Sequence, residues 1–137
     1  MRPGQVLVDN EFPYDDGGSG KKIFIILNES ETSNAIVIKT TSRAKFKGSI
    51  PGCQLRDNPQ NFYLPAGSCG LDGETWVLLK TIEYELPHFI AREQERKAQR
   101  LFVLPIGILK KLFECVLGSY DVKLAHKTLI QDTLARL

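Results

Sequence analysis

The stretch KKIFIILNESETSNAIVIKTTSR, from Lys21 to Arg43, decides how the rest of the chain is read. Two runs, Ile23–Leu27 and Ala35–Ile38, are apolar and β-branched. The polar segment Asn28–Asn34 between them reads as a turn. Lys22–Leu27 has no polar alternation, which predicts a strand buried on both faces, and Ala35–Thr41 reads as the returning strand. Paired as a hairpin, the two strands carry Lys21 and Lys22 to the same end as Thr41, Ser42 and Arg43. Cations and hydroxyls then converge from residues about twenty apart, an arrangement suited to a phosphate.

A chain of 137 residues is long enough for one domain with a real core. Its formal net charge of +2 does not announce a nucleic-acid binder. The distribution says more. Between Lys21 and Arg56, the cations Lys21, Lys22, Lys39, Arg43, Lys45, Lys47 and Arg56 face only Glu29 and Glu31. Positive charge therefore gathers around the hairpin, as a site for an anionic polymer requires. Cys53, Cys69 and Cys115 are odd in number and widely spaced, with no zinc-ligand pattern. They read as free thiols of a cytoplasmic protein. No apolar leader and no run long enough to span a membrane is evident. No cofactor is expected.

The elements follow in order. Gln5–Asp9 is a short strand, and NEFPYDDGGSG reads as a loop in which no regular element persists. Asp15 and Asp16 are turn formers there, with a two-carboxylate metal site as the open alternative. Ser42–Gln60 is a long excursion with one brief strand near Gln54–Arg56. Asn61–Leu64 and Glu74–Ile82 are further strands, with Trp76 in the core. Five or six short strands of this kind favour a closed barrel over an open sheet. The C-terminal part reads as helical: a short helix from near Pro87, another over Gly107–Leu117 ending at Gly118, and a last one over Tyr120–Ala135 capped by Ser119. On the last helix Val122, Ala125, Leu129, Ile130 and Leu134 form an apolar stripe. His88 and His126 read as structural or surface residues. The fold class is β-rich α+β in a single domain, a barrel over about residues 1–85 and packed helices over about 86–137.

With this order in hand, the chain resembles the MazF/PemK family of toxin–antitoxin endoribonucleases. Pro3-Gly4-Gln5-Val6-Leu7-Val8-Asp9 is similar to the family's opening Gly-Asp-Ile/Val strand. Lys21 through Leu27 falls where the family has Arg-Pro and a hydrophobic strand. Ala35 through Ser42 resembles its strand ending in Thr-Ser, and Trp76 through Glu83 its strand closing on Thr-Ile-Asp. The likeness covers roughly the first ninety residues, and the helical tail is longer than usual. It implies a small SH3-like barrel, a homodimer, cleavage of single-stranded RNA without a metal, and a cognate antitoxin that blocks the site. It makes Lys21 and Thr41 the catalytic pair, with Lys21 at the family's Arg position and Lys22 at its Pro position.

Such cleavage uses the neighbouring 2′-OH as nucleophile. It needs a base, an acid for the leaving 5′-oxygen and a cation for the charged phosphorane. Lysine brings charge without the arginine fork, and its pKa falls readily among other cations. Lys21 beside Lys22 then serves as charge stabiliser or proton shuttle, Thr41 orients the phosphate or the 2′-OH, and Ser42 and Arg43 support them. Lys45 and Lys47 alternate with Phe46, as a solvated edge does. The alternative is that they track RNA, with Phe46 stacking on a base. The same residues fit a non-catalytic barrel that binds RNA or a protein.

Overall fold

A computed structural model describes residues 1–14, 16–30, 34–45 and 47–137. Among them are seven strands and three helices. In chain order these are β1 (Gln5–Pro13), β2 (Ser19–Ile26), β3 (Asn34–Thr41), β4 (Gly52–Gln54), β5 (Asn61–Leu64), β6 (Thr75–Glu85), α1 (Leu86–Gln94), β7 (Ala98–Val103), α2 (Ile106–Gly118) and α3 (Leu124–Ala135). The strands form one sheet in the order β4-β5-β6-β3-β2-β1-β7, with every pairing antiparallel. The fold is β-rich α+β, and its sheet is open. The expected closure fails because β7, which the sequence reading missed, occupies the free edge of β1, while the three-residue β4 ends the other edge.

The hairpin at the centre forms as expected, with Phe24 opposite Lys39 and Ile26 opposite Val37. Phe24, Ile25, Ile26 and Leu27 are all fully buried. Successive residues point to opposite faces, and each face has its own cover. On one side Val6, Ile25, Ile38 and Leu79 pack with Leu112, Phe113 and Val116 of α2 and Ile130 of α3. On the other, Leu7, Phe24, Ile26 and Val37 pack with Phe12, Tyr84 and Phe89 of α1. The rings of Phe24 and Tyr84 lie 4.8 Å apart, and those of Phe12 and Tyr84 5.6 Å apart.

Residues 10–20, read as a loop, are mostly strand. Asp9 Oδ1 accepts the Glu11 N–H at 2.9 Å, and the β1–β2 register shifts between Asp9 and Phe12. A β-bulge at this point lets pairing resume with Phe12 opposite Gly20 and Pro13 opposite Ser19. A tight turn remains, in which the Tyr14 N–H donates to Gly18 O at 2.8 Å. Asp16 is a turn former as read, its Oδ1 accepting the Gly18 N–H. Asp15 lies outside the described residues.

Three further expectations change. Cys53 and Cys115 are not free thiols but a disulfide joining β4 to α2, and Cys69 alone of the three is free. The fold brings together two cysteines 62 residues apart, which no local spacing announces. The last helix starts at Leu124, because Ser119 caps nothing there: its hydroxyl bonds to Gln60 Oε1 and accepts the Asp121 N–H. The buried face of α3 carries His126, Ile130 and Thr133, while Leu129 is exposed. His126 Nδ1 lies 2.6 Å from Thr81 Oγ1, so the hydrogen bond compensates its burial and leaves the leucine outside.

The turn from α1 into β7 places Arg96 at φ 63°, a left-handed conformation that favours glycine. Arg96→Gly should therefore stabilise the protein by about 0.5–1 kcal/mol. It would read as a rise of a few degrees in melting temperature, and an unchanged or lowered value contradicts it.

Candidate functional site

The far end of the central hairpin opens into a groove of about 530 Å³. Lys21 and Lys22 enter it from β2, and Thr41, Ser42 and Arg43 from the end of β3. The five residues that sequence placed at this corner are thus brought together. Thr40 and Ile23 form the floor, where the Thr40 hydroxyl donates to Ile23 O at 2.8 Å. Just beyond Ile38 the β3–β6 register shifts, and Thr75 at the start of β6 completes that side.

The two lysines are not equivalent. Lys21 is exposed, whereas Lys22 is half-buried on the face of the sheet that carries Phe24. Burial pushes the Lys22 ammonium below the ordinary lysine range, and the like charges of Lys39 and Arg43 push it further. Lys39 itself lies over the Phe12 ring, 6.0 Å from its centre. The perturbed cation is therefore Lys22, at the position where the family resemblance has proline. Period-two alternation puts the two neighbouring lysines on opposite faces of the sheet, Lys22 on that of Phe24 and Lys21 on that of Ile25.

Thr41 Oγ1 accepts the Arg43 N–H at 3.2 Å. That bond fixes the turn after β3 and leaves the hydroxyl proton available to donate. No carboxylate or imidazole lines the groove among the described residues. The groove can therefore hold a phosphate with cations and hydroxyl donors, and the group in it suited to moving a proton is Lys22. Lys45 and Lys47 lie outside it, with Lys47 Nζ donating to Lys45 O at 2.9 Å. Phe46 lies outside the described residues.

Comparisons were made with protein-family models, with curated proteins and with solved structures. None matches the chain. The functional reading therefore stands on the chemistry of the groove.

Sequence reasoning missed Tyr14, which lines the groove from the β1–β2 turn, and Lys39, which biases Lys22. The Asp/Gly-rich composition around Tyr14 hid it as a loop residue. It also missed a buried cluster behind the site. Asp9 is fully buried and accepts hydrogen bonds from both Nε and Nη2 of the Arg92 guanidinium and one from the Tyr84 hydroxyl. Arg92 also donates to the Tyr84 oxygen. Asp9 sits opposite Lys22 in the β1–β2 register, so this cluster sets the strand from which Lys22 projects. Its members are up to 83 residues apart, and no local pattern marks them.

Proposed function

We propose that the protein is a metal-independent endoribonuclease that cuts single-stranded RNA in the Lys22–Thr41–Arg43 groove, as a toxin of the MazF/PemK kind. The observation that carries this reading is the meeting of a half-buried, acidified Lys22 with Arg43 and the Thr41 hydroxyl. In the proposed reaction Arg43 and Lys21 hold the phosphate and take up the charge of the phosphorane. Thr41 donates to a phosphate oxygen. The 2′-oxygen bonds to phosphorus and loses its proton to solvent water, the bond from phosphorus to the 5′-oxygen breaks, and Lys22, with its lowered pKa, gives its proton to that leaving oxygen. The reading keeps Lys21 as a charge stabiliser and gives the proton-transfer role to Lys22. A homodimer, an SH3-like ancestry for the strand order, a cognate antitoxin and a cytoplasmic setting go with it as parts of the same proposal.

RNA should be cut in the presence of EDTA. Lys22→Ala and Thr41→Ala should each lower the rate by about a hundredfold, the size of one lost transition-state donor. RNA binding should weaken as pH rises, beginning lower than for an ordinary lysine, because the lowered Lys22 loses its charge sooner. Uncut RNA under all of these conditions would sink the enzyme reading.

A second reading is favoured by the absence of an imidazole or carboxylate from the described lining: a non-catalytic domain that grips RNA. It predicts salt-sensitive retention of intact RNA, weakened by Lys22→Ala.

A further inference from the structure

We propose that Tyr14 is a base-stacking platform, so that the groove reads a nucleobase beside the phosphate it holds. This inference rests on the RNA reading above and adds a recognition residue to it. Tyr14 stands at the lip of the groove at the end of β1, with its side chain exposed. It is held on both sides by the turn, donating its N–H to Gly18 O and accepting the Gly17 N–H at its own carbonyl.

The second observation is Gly20. Its φ is not in the left-handed region, so no turn requires glycine there. Close approach does. A Cβ built on Gly20 would lie 2.3 Å from the Tyr14 hydroxyl oxygen and 2.9–3.0 Å from ring carbons. The hydroxyl end of the phenol therefore passes close over the bare backbone of Gly20, which fixes where the ring stands at the lip. Gly20 and Lys22 point to the same face of β2 and are two residues apart, about 6.8 Å. That is the scale of the reach from a phosphate to a neighbouring base. A ring held at one such step from a half-buried cation, in a groove with hydroxyl donors, suits a nucleotide with an unpaired base. A duplex could not offer its base face to the ring.

Hexauridylate with 2′-O-methyl groups, which lacks the attacking hydroxyl and so is bound without being cut, is the probe, together with six versions that each carry one abasic sugar, and binding is read by fluorescence anisotropy. Tyr14→Ala should weaken hexauridylate binding about tenfold, and Tyr14→Phe by less than about twofold, because stacking needs the ring and not the hydroxyl. For the wild type, one abasic position should cost about as much as Tyr14→Ala, and that position should cost nothing further in the variant. Gly20→Val, which displaces the ring, should reproduce Tyr14→Ala. Melting curves confirm that each variant is folded. Wild-type affinity in Tyr14→Ala, with binding still lost in Lys22→Ala and Arg43→Ala, overturns the stacking role and leaves the RNA reading intact. Equal losses at every abasic position in both proteins also overturn it. Failure of the wild type to bind any oligomer overturns both.

Discussion

Arg92→Ala is expected to destabilise the fold by about 3–5 kcal/mol, because it leaves the fully buried Asp9 carboxylate without its cation. Urea unfolding measures this directly, and a loss below about 1 kcal/mol would refute it. The cost belongs to breaking the cluster, not to having it. Replacing all three members with apolar groups, as in the Asp9→Leu, Tyr84→Phe, Arg92→Met triple variant, should recover most of the loss. Acid gives an independent check. Burial by itself would raise the Asp9 carboxyl, but hydrogen bonds from Arg92, Tyr84 and the Glu11 N–H outweigh it and hold it below its ordinary value. An unfolded aspartate titrates near about 3.9. The stabilisation is therefore complete above that pH and is lost as pH falls through the lower folded value. The wild type should weaken steeply in acid, and its advantage over Arg92→Ala should narrow there.

The second large effect concerns the disulfide. Opening Cys53–Cys115 frees a loop of 62 residues, worth about 4 kcal/mol in unfolded-state entropy. A Cys53→Ala, Cys115→Ala variant and reductant-treated wild type should lose similar stability in chemical denaturation. Intact stability in both would contradict the expectation. The loss should be felt first at β4, an edge strand of three residues. The loop before it has separate anchors. Gly48 O accepts the Trp76 indole N–H at 2.7 Å and the Gln54 amide at 3.0 Å, and Gln54 bonds in turn to Asn61. Reduction should therefore loosen hydrogen-exchange protection at β4 before it disturbs Trp76. In a reducing cytoplasm this stabilisation would be absent, and the polar anchors would hold the loop alone.

What could be read in the chain, and what could not, follows from how far each interaction reaches. Asn61–Leu64 is a strand as its composition says, and the central hairpin follows from two β-branched runs. The convergence of Lys21, Lys22, Thr41, Ser42 and Arg43 needed only antiparallel pairing. Which lysine turns inward needed the face of β2, which composition does not give. β7 escaped notice because Ala98–Val103 contains Gln99 and Arg100, which suit an edge with an exposed side. Residues 10–20 looked too rich in Asp and Gly for a strand, but the Asp9 carboxylate supplies the bulge that carries β1 through them. On α3 the apolar stripe misled because Thr81, on a strand 45 residues earlier, gives His126 a partner inside.

The pairing of β1 with β7 has a consequence for the order of assembly. Gln5 is opposite Val103, so the outer edge of the first strand waits for the last strand to be synthesised. The β1–β2–β3 meander is local and can form early, but forming that edge carries the entropic cost of closing a long loop. On the ribosome the nascent meander would carry its groove residues while Asp9 still lacked Arg92 and β1 still offered an open edge. Completion of the site and protection of the sheet are thus both deferred until the C-terminal third has emerged.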